Sequence, residues 1–270
     1  MKLYILAFDH RSSFSSLFKN KNEIKKAKQI IFSSFLKVFN EYKHKENLAL
    51  LIDEEYGEKV IKEAKQNNIK ICLPIEKSGK NILELEYKDL NEIKKINPDY
   101  VKILIRYNPL NIEANKKQIS VLKKINDFCL KNNFKILLEL LVPPEKEDLL
   151  LTKNYDEDLR FQKTKQAIIE IKDHIKVDLW KLEGFKKNEW KEITKLINSK
   201  IVFLGRGAEK EKVKEWLIES KNIKNIIGFA IGRTIFLEPI KEYSKKLLNK
   251  EKTIQKIAEN FKYFIDLADK

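Results

Sequence analysis

The apolar positions of this chain switch period repeatedly. Short, nearly unbroken apolar runs alternate with longer stretches in which apolar residues return every three or four positions. The first pattern predicts strands buried on both faces; the second predicts amphipathic helices. Residues 22–39 show the helical period plainly, with Ile24, Ala27, Ile31, Phe35 and Val38 on one side. The predicted strands are residues 3–8, 48–52, 70–73, 100–105, 135–141, 177–184, 200–204 and 226–231. Helices are predicted at 22–39, 58–66, 88–96, 112–131, 160–174, 188–197, 210–219, 236–248 and 253–268. Eight strands alternating with helices predict a parallel sheet closed into a (β/α)₈ TIM barrel, an α/β fold. No composition shift or linker divides the chain, so residues 1–270 read as one domain. An open doubly wound sheet is the alternative. The stretch 144–159 is long for a βα connection and reads as a candidate lid.

Three strands break the apolar pattern in the same way. Lys102, Glu139 and Lys181 each sit inside a run that is otherwise buried. A buried charge is costly unless it is paired or used. Structural ion pairs inside the barrel are the plain alternative, and would be preferred for one isolated case. Three charges on neighbouring strands favour a site. Side chains alternate along a strand, so Leu179, Lys181 and Glu183 share a face, and Trp180 faces the helical layer.

Composition adds one useful contrast. Lys+Arg is 55 against Asp+Glu 40, a net charge of +15. Only Arg11, Arg106, Arg160, Arg206 and Arg233 are arginines, so fifty residues are lysines spread over every predicted helix. That spread, without a basic–aromatic motif, argues against nucleic acid as the partner. In a chain that nearly always chooses lysine, an arginine needs a reason, and Arg11, Arg106, Arg206 and Arg233 all fall at strand ends. Cys72 and Cys129 lie in apolar contexts without ligand spacing and read as reduced, buried thiols of a cytoplasmic protein. The N-terminal apolar run is too short for a signal peptide or membrane helix.

Active sites of (β/α)₈ barrels form at the C-terminal ends of the strands. Placed there, a lysine can condense with a ketone as the free amine, helped by desolvation and a second nearby ammonium. Lys181 is the expected nucleophile, Lys102 the second charge, and Glu139 the carboxylate that shuttles protons. Asp9, Arg11, Asp53, Glu76, Arg106 and Glu183 are the expected substrate contacts. For Asp9 and Asp53, helix capping is an equal alternative. Gly205-Arg206-Gly207 and Gly232-Arg233 precede helices and are expected to hold a phosphate, although such glycines also simply make tight turns. With His10 the only histidine near a strand end, no metal site and no cofactor are expected.

The stretches Leu6-Ala7-Phe8-Asp9-His10-Arg11, Leu51-Ile52-Asp53-Glu54-Glu55-Tyr56-Gly57, Asp178-Leu179-Trp180-Lys181-Leu182-Glu183 and Gly228-Phe229-Ala230-Ile231-Gly232-Arg233-Thr234-Ile235-Phe236 resemble the DUF2090 family. The resemblance covers nearly the whole chain. That family includes the aldolase domain fused to 5-dehydro-2-deoxygluconokinase, and it is distantly similar to the class I tagatose-bisphosphate aldolases. It implies a Schiff-base lysine at Lys181, assisted by Lys102 and Glu139. The resemblance is to the aldolase domain and not to the kinase, so the chemistry is expected to carry over better than the inositol-pathway substrate, 2-deoxy-5-keto-gluconate 6-phosphate. The expected function is cleavage or formation of a carbon–carbon bond in a phosphorylated ketose or keto-sugar acid. A non-catalytic barrel that binds a sugar phosphate is the alternative. The expected partner is a small phosphorylated sugar, with neither nucleic acid nor membrane; a homo-oligomer is compatible with the sequence.

Overall fold

A computed structural model describes residues 2–270. Eight parallel strands close into a barrel in chain order, β1 Leu3–Ala7, β2 Leu48–Leu51, β3 Lys70–Pro74, β4 Tyr100–Arg106, β5 Lys135–Leu141, β6 Leu179–Leu182, β7 Lys200–Leu204 and β8 Ile226–Ile231, with β8 returning to β1. The helices are α1 Ser12–Ser15, α2 Lys21–Glu41, α3 Glu54–Gln66, α4 Glu92–Ile96, α5 Ile112–Lys131, α6 Lys146–Leu151, α7 Tyr155–Asp158, α8 Arg160–Lys172, α9 Lys187–Leu196, α10 Lys210–Ser220, α11 Arg233–Ser244 and α12 Lys250–Asp269. The closed barrel is the expected fold; the open sheet is not seen. No helix among the described residues is long and apolar enough to cross a membrane.

Strand alternation divides the core in two. Leu3, Ile5, Ala49, Leu51, Tyr100, Leu137, Leu179, Val202 and Ala230 fill the barrel interior as an apolar floor. The residues between them, such as Trp180 and Leu138, pack outward against the helices in a much larger cluster. Lys102, Glu139 and Lys181 share the inward parity of the floor residues but lie one step further along their strands. Burial of the floor thus fixes which way the three charged side chains point.

Three of the departures from the predicted pattern bear on the strand ends, each for a local reason. β6 holds four residues rather than the predicted eight. Asp178 is diverted before it, its carboxylate accepting from the Ile136 N–H at 2.9 Å. The helix expected over 88–96 shrinks to Glu92–Ile96. Its upstream stretch runs extended, with Leu83, Leu85 and Tyr87 alternating, and Glu76 pairs with Leu85 in an antiparallel bridge. The 144–159 stretch is not an open loop but carries α6 and α7. Buried Asp148 accepts from Asn108 at 2.6 Å and pairs with Lys163 at 2.7 Å, and the Tyr155 hydroxyl donates to the Val142 carbonyl at 2.9 Å.

One buried ion pair locks the helical layer to the strand ends. Lys28 of α2 is fully buried, paired with Asp53, and donates to the Phe8 carbonyl at 2.9 Å. Asp53 also accepts from the Tyr56 N–H at 2.9 Å, capping α3. Burial lowers the Lys28 ammonium pKa and raises that of Asp53, outweighing their mutual attraction. The pair is therefore costly to break and inexpensive to replace. Lys28→Met should lose about 3–5 kcal/mol in urea unfolding. Lys28→Met with Asp53→Leu should recover most of that, keeping a deficit of about 1 kcal/mol for the lost cap.

Candidate active site

The strands bring Asp9, Glu76, Lys102, Glu139 and Lys181 together above the apolar floor. Glu139 and Lys181 are direct register partners on β5 and β6. Their side chains meet, Lys181 Nζ lying 2.9 Å from Glu139 Oε2. Lys102 Nζ lies 2.9 Å from the same oxygen, so the two amines are no farther apart than twice that distance. Lys102 is also 3.0 Å from Asp9 Oδ2 and 2.5 Å from Glu76 Oε1. Lys102, Glu139 and Lys181 are all buried.

The electrostatics of Lys102 amend the expectation made for it. Burial opposes its charge, but Asp9, Glu139 and Glu76 outweigh burial and hold its pKa well above the ordinary lysine range. An ammonium met by three carboxylates draws two of them, Asp9 and Glu139, toward ionisation. Burial resists ionisation of Glu139, yet Lys102 and Lys181 win and lower its pKa. Asp9, resisted by burial in the same way, is drawn far below the usual carboxylate range by Lys102 and Lys181. Glu76 goes the other way: burial raises its pKa despite Lys102.

Two adjoining cavities open on this cluster. One, of about 250 Å³, runs from Lys181 and Glu139 past Glu76 and Lys102 to Ser12, Ser78 and Arg106. The other, of about 90 Å³, is a corner between Lys181 and the Gly205-Arg206-Gly207 and Gly232-Arg233 turns. A larger concavity, of about 720 Å³, lies elsewhere, between α2 and α3, and is lined by exposed lysines such as Lys25, Lys26 and Lys62. It is a groove between helices and touches none of the charged strand ends.

The corner is shaped by backbone geometry. Arg206 has φ +53°, rare for a side-chain-bearing residue, and Gly207 follows at φ +74°. A Cβ on Gly207 would lie 2.7 Å from Arg233 Cζ, and one on Gly232 would lie 2.1 Å from the Ala7 carbonyl oxygen. Gly207 is favoured by its left-handed backbone, and Gly232 is required for the turn to approach the β1 backbone. Arg233 donates to the Arg206 carbonyl at 2.9 Å. Arg206 is gripped by Glu183 at 3.0 Å and Asp156 at 2.8 Å, which ties α7 to the end of β7.

Four expected substrate contacts are otherwise engaged. Asp53 lines neither cavity; the chain leaves β2 at Leu51, and the carboxylate turns outward to Lys28 and the α3 cap. Glu183 also lines neither cavity; it is buried against Arg206, and burial raises its pKa against the pull of Arg160 and Arg206. Arg11 reaches the larger cavity, but its guanidinium donates to Glu86 at 2.9 Å and to the Glu76 carbonyl at 2.5 Å. It thereby fastens the 76–86 excursion over the barrel. Arg106 lines the same cavity while donating to the Lys80 carbonyl at 2.8 Å.

His10, not counted among the expected site residues, lines both cavities. Strand parity would turn it away from Asp9, but β1 ends at Ala7, so alternation no longer governs it. The available signal was its place beside Asp9 as the one histidine at a strand end. Among the described residues, no three His, Cys, Asp or Glu side chains are grouped to hold a metal ion.

Comparison with known proteins adds a family and a fold. The model of the family described as "Uncharacterized protein conserved in bacteria (DUF2090)" matches residues 1–270. Among solved structures, the chain is similar to Cgl0159 from Corynebacterium glutamicum, with a TM-score of 0.66 and 12% identity over 96% of this chain and 85% of that one. At that identity the likeness speaks for the fold. No curated protein matches the chain.

Proposed function

The chain belongs to the DUF2090 family, and we propose that it is a class I aldolase acting on a phosphorylated ketose or keto-sugar acid. The observation that carries this reading is a buried lysine amine and a carboxylate in contact, 2.9 Å apart, at the C-terminal end of the barrel. Glu139 takes a proton from Lys181 across that contact, and the freed lone pair attacks the substrate ketone. The same carboxylate returns the proton to the carbinolamine oxygen, which leaves as water and yields the iminium. The iminium then accepts the electron pair of the breaking carbon–carbon bond as an enamine. Protonation of the enamine carbon and hydrolysis of the imine restore the amine. Lys102 holds Glu139 ionised between these transfers and keeps it beside Lys181.

The smaller cavity suits the phosphate of such a substrate. Glycines at the turns allow close backbone approach, the twelve-residue helix α11 begins there, and Arg233 adds positive charge, Arg206 being paired with Glu183 and Asp156. Arg233→Met should raise KM about tenfold or more with kcat changed little, the pattern of binding shared by ground and transition states. Steady-state kinetics on a cleaved ketose phosphate would read both constants. The reading as a whole is tested by a panel of ketose phosphates and phosphorylated keto-sugar acids, assayed for release of a three-carbon ketone or aldehyde. Cleavage of at least one is expected. Saturable binding of several with turnover of none would instead identify a sugar-phosphate sensor.

A further inference from the structure

We infer that His10 is a further catalytic residue, the base that removes the substrate's proton once the imine has formed. The inference rests on the Schiff-base reading above and assigns a second proton-transfer group that the reading leaves open. Glu139 Oε2 receives both Lys102 and Lys181, so this carboxylate is engaged on the imine side of the site. A group that takes a proton from the substrate carbon chain has to border the space that a substrate joined to Lys181 would fill. His10 stands there, sharing Glu139, Leu141, Lys181 and Arg233 as lining residues of the two.

Its ring is held in place but unused. The imidazole packs edge-on against Phe236, with ring centroids 5.9 Å apart. Gly232 leaves room for it, since a Cβ there would come within 3.0 Å of His10 Cε1. Yet Nδ1 is buried without a hydrogen-bond partner. The nearest carboxylate oxygen, Asp9 Oδ1, lies 3.9 Å away, beyond hydrogen-bonding reach, while Asp9 Oδ2 is committed to Lys102. A buried, unpaired ring nitrogen is costly, so the place of this ring beside both cavities calls for a use.

The charged groups around the ring are Asp9 from the end of β1, Glu139 on β5, Lys181 on β6 and Arg233 at the start of α11. Burial, assisted by Arg233 and Lys181, pushes the imidazole down to about 4 against the pull of Asp9 and Glu139. The ring is therefore neutral at pH 7, with one nitrogen lone pair free to accept a proton. In the cleavage direction that nitrogen takes the hydroxyl proton. The O–H electron pair becomes the new carbonyl, and the carbon–carbon pair moves through the enamine to the imine nitrogen. In the condensation direction it takes a proton from the carbon next to the imine, and the C–H pair moves the same way. The imidazolium then returns its proton to the enamine carbon or to the developing alkoxide. A phosphate seated on Arg233 offsets one of the charges that oppose imidazolium formation, so substrate binding itself strengthens the base.

Dihydroxyacetone phosphate, which joins a ketone to a phosphate in three carbons, is the probe. The full-length protein and His10→Ala are each incubated with it in D₂O. Borohydride-trapped mass on Lys181 reports the imine, and deuterium at the carbon beside the carbonyl reports the proton transfer. The variant should trap the imine within about threefold of the parent, yet exchange deuterium about 10²–10⁴-fold more slowly. Added imidazole should restore part of that exchange. Exchange within about threefold of the parent overturns the assignment. So does loss of adduct and exchange together, which would make His10 a support for Lys181. Absence of adduct in the parent protein strikes the Schiff-base reading itself, and this inference with it.

Discussion

Lys181→Met is expected to lower turnover by a factor on the order of 10⁴–10⁶, the scale seen when a covalent nucleophile is removed. The fold should hardly notice. Glu139 keeps Lys102 at 2.9 Å after the substitution, so no carboxylate is left without a cation. The apolar floor of Leu137, Leu179 and Val202 lies below the change and stays intact. Lys181→Arg sharpens the result, because it keeps a positive charge beside Glu139 but cannot form an imine. If the positive charge alone mattered, the arginine variant would retain much of the activity. Equal loss in both variants, with unchanged thermal unfolding and retained phosphate binding, is the pattern a Schiff-base nucleophile requires.

Lys102→Met should have the opposite balance, with a large effect on stability as well as on rate. Asp9 and Glu76 would lose their only short cation contact, and Glu139 would keep Lys181 alone. Breaking a buried charge cluster from one side costs about 3–5 kcal/mol, a fall in Tm on the order of 10 °C for a chain of this size. The pH dependence gives the sign. In the parent, the carboxyl pKa values of Asp9 and Glu139 are lowered by Lys102. Their stabilisation is present above the ordinary carboxylate range and lost only as pH falls below it. In the variant, crowded carboxylates retain a proton and their pKa values rise. Stability then is highest in mild acid and falls as pH rises through those values. Between pH 8 and pH 5 the variant should gain stability relative to the parent, which itself loses some as the unfolded chain's His10 takes up the proton that the buried ring resists. A variant as stable as the parent at pH 8 would show that the cluster is not held by Lys102.

The legible and illegible parts of this molecule divide along one physical line. Wherever side chains alternate on a strand, the sequence places them correctly: the inward set of Lys102, Glu139 and Lys181 meets over the barrel floor, and Trp180 packs outward. Period-two patterning is a property of neighbouring residues, so it can be read locally. It fails one or two residues past the strand. Asp53 follows the inward parity of Ala49 and Leu51, yet the chain has already turned into α3, and Lys28 from a distant helix claims the carboxylate. His10 fails in the other direction: parity points it away, and the turn after Ala7 carries it into both cavities. Arginine in a lysine-rich chain marked real positions at the mouth, but not their partners. Arg11 serves Glu86 and the Glu76 carbonyl, and Arg206 serves Glu183 and Asp156. Except for Glu183, which directly follows β6, those partners lie in the excursions 76–86 and 144–159, whose paths are set by tertiary contacts rather than by local pattern.

The central claim is that one amine among fifty lysines forms a covalent bond with a ketone. Reduction with borohydride in the presence of a ketose phosphate, followed by peptide mass mapping, tests it most directly. A single adduct is expected, on Lys181, and the Lys181→Arg substitution should abolish its formation. An adduct on any other lysine, or none in a preparation that turns the same ketose over, would contradict it.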